Sequence, residues 1–205
     1  MDDEINNSDI IKLILVGDSG TGKTNIITVG SGLKFEAGTL STTSCSYIQK
    51  KIIKNKKEYK VNLWDTVGQE KYRSLTRIFV KDANIVILVY DITKRETFES
   101  LNYWKKIIED ILGDDLTIGV IGNKVDLYLQ EEVRKEEGEE YANSIGAKFK
   151  VTSAKDNPIE ICEFIELMLD EYLKKIKNKK PSSRRETLTI KKQVKEKKEE
   201  GGCCK

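Results

Sequence analysis

The chain has 205 residues, which is enough for one domain with a full hydrophobic core. Charged residues make up 34% of it but nearly balance at a net charge of +2, and no apolar run approaches the ~20 residues that span a bilayer. Histidine is absent, which excludes Ser-His-Asp and Cys-His catalysis as well as histidine-ligated zinc. The chemistry must therefore rest on carboxylates, amides, hydroxyls and lysines.

The N-terminal part of the chain leads into a phosphate-binding pattern. Residues 1–9 are polar and acidic, do not resemble a signal peptide, and are expected to form a flexible N-terminus. The apolar run Ile10–Val16 predicts a buried strand, which is followed by the loop Gly17-Asp18-Ser19-Gly20-Thr21-Gly22-Lys23-Thr24. The glycines let N–H groups converge on an anion, Lys23 brings a charge to the terminal phosphates, and the Thr24 hydroxyl can ligate magnesium. The alternative interpretation is an incidental glycine-rich turn.

Six segments predict the strands of a mixed sheet. Two of them, Tyr47–Ile53 and Tyr59–Trp64, are joined only by a polar turn around Asn55-Lys56-Lys57, which requires an antiparallel hairpin. The others alternate with helical patterns, as in a parallel sheet covered on both faces, and comprise Ile10–Val16, Ile85–Tyr90, Leu116–Ile121 and Lys148–Val151. We therefore predict an α/β fold with a six-stranded, mostly parallel sheet, one antiparallel edge strand and helices on both faces.

Hydrophobic periodicity also divides the chain into a domain and a tail. It predicts helices over Thr97–Leu112, Val133–Ile145 and Ile159 to about Ile176, and it stops near residue 178. Residues 178–205 contain ten Lys or Arg and four Glu, which gives a basic tail of net charge +6 and leaves −4 on the remainder. We expect one domain over residues 10–177 and a disordered tail over residues 178–205.

A second motif, Asn123-Lys124-Val125-Asp126, follows the predicted strand Leu116–Ile121. Loops at the carboxyl ends of parallel strands reach the ligand. The Asp126 carboxylate can accept hydrogen bonds from N1–H and the exocyclic amine of guanine, whereas adenine has an acceptor at N1 and would leave the charge unpaired. The motif therefore favours guanine over adenine, and a turn without a ligand is the alternative.

Two further motifs also follow predicted strands. In Asp65-Thr66-Val67-Gly68-Gln69, Asp65 can hold magnesium through a water. The N–H of Gly68 can bind the γ-phosphate, and Gln69 can orient an attacking water. The tripeptide Ser153-Ala154-Lys155 can bring the Ala154 N–H to the guanine O6, although this signal is weak by itself.

Taken together, these motifs resemble the Ras superfamily of small GTPases, and within it the Rab family. They occur in the family's order, and Rab-like segments surround them at Lys60–Trp64, Lys71–Leu75 and Leu88–Thr93. The resemblance covers about Ile10 to Ile176. It implies a P-loop GTPase domain that binds GDP or GTP with Mg²⁺, hydrolyses GTP slowly and acts as a molecular switch in vesicle trafficking.

The resemblance also implies site residues. The family's spacing of 19 residues from Lys23 places the threonine that senses magnesium and the γ-phosphate at Thr42, in preference to Thr39 and Thr43. Phe35 should lie edge-on against the guanine. The implied metal ligands are Thr24, Thr42 and Asp65, and the implied catalytic residue is Gln69. The implied GTP-binding residues are Asp18, Ser19, Gly20, Thr21, Gly22, Lys23, Thr24, Phe35, Thr42, Gly68, Asn123, Lys124, Asp126, Ser153, Ala154 and Lys155.

The implied partners are those of a switch. They are an exchange factor, a GTPase-activating protein and effectors at the switch regions, together with a prenyl transferase and a chaperone of the GDP-dissociation-inhibitor type. No nucleic-acid partner is expected. The chain departs from the family at Thr43-Ser44, where Ile-Gly is usual, and at Val67, where Ala is usual. These departures leave open an alternative function, a GTP-loaded binding scaffold with little hydrolysis or cycling.

The chain ends with a cysteine pair, Cys203-Cys204, followed by a single lysine. This is not a C-a-a-X box, which would place cysteine at position 202. It resembles the Rab pattern for double geranylgeranylation, and two incidental tail cysteines are the alternative. The resemblance implies a location on the cytoplasmic face of an intracellular membrane, with cycling through the cytosol.

Overall fold

Six strands form one sheet in the computed structural model, which describes residues 10–37, 46–66, 78–113 and 115–178. The strands are β1 (Ile10–Val16), β2 (Ser46–Lys54), β3 (Lys57–Asp65), β4 (Ile85–Asp91), β5 (Thr117–Asn123) and β6 (Lys148–Val151). Their order is β2-β3-β1-β4-β5-β6, and every pairing is parallel except that of β2 with β3. This confirms the predicted mixed sheet with one antiparallel edge strand.

The hairpin of β2 and β3 is closed by a two-residue turn. Asn55 and Lys56 both have positive φ angles, 51° and 64°, which is the backbone of the tight turns that suit the twist of a hairpin. Pairing then runs without interruption from Lys54 opposite Lys57 to Ser46 opposite Asp65. The open end of the hairpin therefore lies at the carboxyl end of β3.

Helices that lie wholly within the described residues are found between the strands and after the last one. They are α1 (Lys23–Gly30), α2 (Arg95–Glu99), α3 (Leu101–Leu112), a 3₁₀ helix (Val125–Gln130), α4 (Lys135–Ser144) and α5 (Pro158–Asn178). The prediction of a single helix over Thr97–Leu112 is wrong, because α2 and α3 meet at Ser100. The hydroxyl of Ser100 donates to the Thr97 carbonyl at 3.1 Å and to Asp18 Oδ2 at 2.5 Å. A distant carboxylate thus binds the junction between the two helices.

Helices cover both faces of the sheet with separate hydrophobic cores. On one face α1 and α5 pack on the inward residues of β1, β3 and β4, with Phe164 and Met168 of α5 buried. On the other face α3 and α4 cover β4 and β5, with Trp104 and Ile108 of α3 buried. Strands buried on both sides have no polar alternation, which explains why all seven residues of β4 are buried. Because helices cover both faces, the polar residues that follow the strands lie at the edge of the sheet.

In the part of the chain that the structure describes, no helix combines the length and apolarity needed to cross a bilayer. Helix α5 continues to Asn178, the first residue of the predicted tail. Residues 1–9 and 179–205, predicted as a flexible N-terminus and a disordered tail, lie outside the described residues.

Candidate functional site

The loop between β1 and α1 has a backbone that two glycines make possible. Gly17 has a φ of +154°, and a Cβ atom there would lie 2.1 Å from the carbonyl oxygen of Val89. Gly22 has a φ of +92°, and a Cβ atom there would lie 2.3 Å from Asn123 Nδ2. Any side chain at either position would overlap these atoms. The loop therefore packs directly against the carboxyl ends of β4 and β5.

Lys23 is the buried cation of this loop. Only 5% of the residue is exposed, and its Nζ donates hydrogen bonds to the carbonyl oxygens of Gly17 at 2.9 Å and Asp18 at 2.7 Å. Burial lowers the pKa of Lys23 to about 8, and the carboxylates of Asp65 and Asp18 oppose that shift. At neutral pH an ammonium group is thus held in the loop, where it can bind the terminal phosphates of a nucleotide.

Two of the predicted magnesium ligands, Thr24 and Asp65, contact each other beside Lys23. Thr24 Oγ1 donates a hydrogen bond of 2.8 Å to Asp65 Oδ2, and Asp65 is 5% exposed at the end of β3. The described residues contain no group of three or more His, Cys, Asp or Glu side chains placed to hold a metal. A hydroxyl with one carboxylate fits Mg²⁺, which uses one or two carboxylates and completes its shell with waters and substrate phosphates.

A cavity of about 110 Å³ lies next to the loop and collects the predicted base-reading residues. Ser153 Oγ donates to Asp126 Oδ1 at 2.7 Å and accepts from the backbone N–H groups of Lys155 and Asp156 at 3.2 and 3.1 Å. One Asp126 oxygen is therefore fixed within the protein, and the orientation of the carboxylate is set. The cavity is lined by Gly22, Asn25, Phe35, Asn123, Lys124, Asp126, Ala154 and Lys155.

Asn123 joins three loops of the site. Its Nδ2 donates to the Thr21 carbonyl at 2.9 Å, and its Oδ1 accepts from the Ala154 N–H at 3.2 Å. The residue is 2% exposed. Both ends of its amide are used within the protein, so Asn123 connects the phosphate loop to the loop that follows β6.

Lys124 is held in place by a carboxylate that sequence reasoning missed. Its backbone is left-handed with a φ of 72°, and its Nζ lies 2.6 Å from Oδ2 of Asp91, whose side chain is 1% exposed. Oδ1 of Asp91 accepts from the backbone N–H and hydroxyl of Thr93 at 3.0 and 2.7 Å. A sequence signal for Asp91 exists: it is an acidic residue directly after a predicted strand, as Asp65 is.

The side chain of Asp18 is bound by the junction of α2 and α3. Its Oδ1 accepts from Trp104 Nε1 at 2.9 Å and its Oδ2 accepts from Ser100 Oγ at 2.5 Å. The carboxylate is thus used in anchoring the phosphate loop to the helices beside it. Any contact of Asp18 with nucleotide, as predicted, would therefore come from its backbone.

Of the remaining predicted residues, Ser19 and Gly20 lie exposed in the turn between β1 and α1. Asn25, which no sequence argument singled out, follows Thr24 and lines the cavity. Several predicted residues lie outside the described ranges, and these are Thr42, Gly68, Gln69, Cys203 and Cys204. The departures at Thr43, Ser44 and Val67 lie outside them as well.

Comparisons with known proteins show the family of the chain. The model of the Ras family matches residues 12–175. The chain is 34% identical over 202 residues to the human Ras-related protein Rab-21, and the alignment covers 94% of this chain and 90% of that protein. It is 37% identical over 169 residues to Ras-related protein Rab-2B of Dictyostelium discoideum, covering 82% and 83% of the two chains. Mouse Ras-related protein Rab-12 is 34% identical over 167 residues, covering 81% and 68%.

The matched region runs from Lys12 in β1 to Lys175 in α5. Within it lie the phosphate loop, the Thr24–Asp65 pair and the cavity around Asp126. Proteins of this family bind guanine nucleotide, hydrolyse GTP and work with regulators and effectors in vesicle trafficking. The chain belongs to the Ras family and is a Rab-family small GTPase.

Proposed function

We propose that this GTPase is a GDP/GTP switch with slow intrinsic hydrolysis and a lipid-anchored C-terminus. One observation supports the switch above all: loops that follow four different strands meet around one site. The loop after β1 brings Lys23 and Thr24, the end of β3 brings Asp65, and the loops after β5 and β6 bring Asp126 and Ser153. A ligand bound there touches elements from the whole width of the sheet, so its phosphates can bias distant segments.

The described residues form two groups, which would bind the two ends of a nucleotide. Asp126, fixed by Ser153, accepts from the base, while Lys23 and the N–H groups of the loop bind the phosphates. Thr24 and Asp65 would hold Mg²⁺, which supplies neutralisation of the phosphate charge. A site that reads both the guanine and the phosphates distinguishes GTP from GDP only through groups near the γ-phosphate, which are the predicted roles of Thr42 and Gly68.

Hydrolysis by this chain alone should be slow. The segment from residue 31 to residue 46 contains no arginine, so it cannot supply an arginine finger in cis. Without one, turnover is expected on the order of 10⁻⁴ to 10⁻³ s⁻¹, and an arginine supplied in trans adds about 10³- to 10⁵-fold. Gln69 would orient the attacking water, and the cycle would be reset by an exchange factor.

Replacing Gln69 with leucine is expected to remove most of the stimulated hydrolysis and to leave nucleotide affinity within about twofold. Leucine fills the same volume but cannot orient a water, so the loss falls on the chemical step. Single-turnover hydrolysis of GTP, measured with and without a Rab-directed activating protein, gives the rates, and GDP titration gives the affinity. The matched control is Gln130→Leu, the same exchange at an exposed site in the 3₁₀ helix.

The same assay separates the switch from the scaffold. Stimulated rates that are equal for the wild type and Gln69→Leu would remove Gln69 from the mechanism. A slow hydrolysis rate that no activating protein raises would favour the GTP-loaded scaffold. Val67 offers a steric reason for such a rate, because the family usually has the smaller Ala at this position.

For the C-terminus we propose double geranylgeranylation at Cys203 and Cys204, which would place the protein on the cytoplasmic face of an intracellular membrane. One lipid chain anchors a protein only marginally, whereas two give stable attachment. Residues 178–205 carry ten Lys or Arg against four Glu, and each basic residue near anionic lipid adds about 1 kcal/mol. A prenyl transferase and a chaperone that shields the lipids would then be obligatory partners.

The intact mass of the protein from the membrane fraction of its native cells is expected to show two geranylgeranyl groups. A variant with serine at both positions 203 and 204 should move to the soluble fraction, because no anchor remains. Cys162→Ser, a change at a half-buried cysteine of α5, serves as the control and should stay with the membrane. An unmodified C-terminus in the membrane fraction would contradict the lipid proposal.

A further inference from the structure

A second cavity lies at the opposite end of the sheet from the candidate nucleotide site. Its volume is about 380 Å³, and it is formed by the amino ends of β5 and β6 together with the last turns of α5. The carboxyl ends of β5 and β6 lead instead to Asp126 and Ser153. The two cavities are therefore separate sites, and nothing in the proposed GTPase cycle uses the second one.

Three lysines line this second cavity, and the carboxylate of Glu171 contacts two of them. Lys174 Nζ donates to Glu171 Oε1 at 2.8 Å, and Lys148 Nζ lies 3.6 Å from Glu171 Oε2. Lys175 Nζ lies 2.7 Å from Asp115 Oδ1. Three ammonium groups against two carboxylates leave a net charge of +1. Each ammonium has three N–H donors, so Lys148 and Lys174 keep donors that an anion in the cavity could use.

Thr117 adds a hydroxyl that the described protein does not satisfy. It is the first residue of β5, is 7% exposed and lines the same cavity. Its Oγ1 is buried and has no hydrogen-bond partner among the described residues. A buried hydroxyl without a partner costs stability, and valine would suit a buried strand position without that cost. The hydroxyl therefore indicates a ligand with acceptor oxygens.

We propose that this cavity binds a group with two or more phosphates, of the size of a phosphorylated inositol ring. Phosphate oxygens accept hydrogen bonds from ammonium groups and from hydroxyls, which are the donors that Lys148, Lys174 and Thr117 offer here. The volume of about 380 Å³ lies within the range of about 300 to 1,000 Å³ that is usual for small-molecule sites. The cavity can therefore hold more than a single phosphate ion.

Two sources carry this chemistry, a phosphorylated lipid headgroup and a soluble phosphorylated metabolite. Helix α5 ends beside the cavity at Asn178, where the basic segment of residues 178–205 begins. An anionic membrane that attracts this segment would also bring its headgroups close to the cavity. The nucleotide site would then lie at the far end of the domain. The inference does not depend on nucleotide binding.

Titration of the full chain with inositol trisphosphate tests the cavity with a soluble probe. Combining Lys148→Ala with Lys174→Ala is expected to weaken binding of the probe by about tenfold or more, because charge-assisted hydrogen bonds are lost. The matched control combines Lys51→Ala with Lys106→Ala, which removes the same charge from exposed positions on β2 and α3. It should bind the probe within about twofold of the wild type.

Thr117→Val separates a ligand contact from a structural role. It is expected to weaken binding of inositol trisphosphate about 3- to 10-fold, the range of one lost hydrogen bond. The free energy of unfolding, measured in urea without the probe, should stay the same or rise, because a buried hydroxyl without a partner is removed. A purely structural threonine would instead lower the free energy of unfolding and leave probe binding unchanged.

The soluble titration decides the proposal, and vesicles assign the source of the phosphates. Vesicles that contain phosphatidylinositol bisphosphate are compared with vesicles given the same charge by phosphatidylserine. A loss of binding by the lysine variant that is larger on the phosphoinositide vesicles assigns the lipid headgroup, and any other vesicle result assigns a soluble ligand. The proposal would be overturned by a wild type that does not bind inositol trisphosphate. Cavity variants that bind it within twofold of the wild type, or an equal loss in the control, would overturn it as well.

Discussion

Asp126→Ala is expected to weaken the binding of GDP and GTP by about 10³- to 10⁴-fold, with little loss of fold stability. In the proposed site the carboxylate accepts from two guanine donors, and its loss would leave those donors without a partner in a desolvated cavity. Ser153, which holds one Asp126 oxygen at 2.7 Å, loses its acceptor as well. Guanine selectivity should fall together with affinity, so ATP should compete more nearly on equal terms with GDP.

The control for Asp126→Ala is Asp156→Ala. Asp156 is exposed in the loop after β6, and only its backbone N–H takes part in the Ser153 contacts. The control removes the same charge close to the cavity and should leave GDP affinity within about twofold. Titration of both variants with GDP, and competition with ATP, provides the measurement. An Asp126→Ala protein that still binds GDP far more tightly than ATP would show that the base is recognised elsewhere.

Gly17→Ala is expected to destabilise the protein by about 3 kcal/mol or more and to abolish tight nucleotide binding. The added Cβ would lie 2.1 Å from the Val89 carbonyl oxygen, a backbone atom that no rotamer change can move away. Either β4 or the phosphate loop must then shift. Lys23 donates to the Gly17 carbonyl, so a shift of the loop would also displace the cation that we propose binds phosphate.

Gly32→Ala separates the clash from the backbone preference of glycine. Gly32 has a φ of +94°, but a Cβ atom there meets no atom within 4 Å. Its substitution should cost only about 1 kcal/mol, the ordinary price of left-handed backbone. Urea unfolding of the wild type and both variants without nucleotide gives the free energies of unfolding free of any contribution from bound GDP. Equal losses for the two would mean that the close approach to Val89 contributes nothing.

The strands and the motifs after them could be predicted because their signals are local. Apolar, β-branched runs produced six strands whose bounds agree with the structure to within two residues. The short turn at Asn55-Lys56 fixed the one antiparallel pairing. The rule that ligands bind at the carboxyl ends of parallel strands then predicts that Asp65 and Asp126 lie at one site.

Long-range contacts could not be predicted from one sequence. The break at Ser100 and the engagement of Asp18 depend on residues 82 and 86 positions apart, which only the fold brings together. The same holds for the Asp91–Lys124 ion pair at 2.6 Å. The place of Asn25 in the lining of the cavity could not be predicted either, because an asparagine in a helix has many ordinary explanations.

The hairpin of β2 and β3 has a consequence for how partners could recognise this protein. Ser46, which follows residues 38–45, is paired with Asp65, which lies two residues before the segment 67–77. Paired residues in an antiparallel ladder have Cα atoms about 5 Å apart. The two segments expected to respond to the γ-phosphate therefore leave the sheet from neighbouring attachment points. A protein that binds at this edge would lie next to the attachment points of both segments, and we propose that it recognises the nucleotide state through the two segments together.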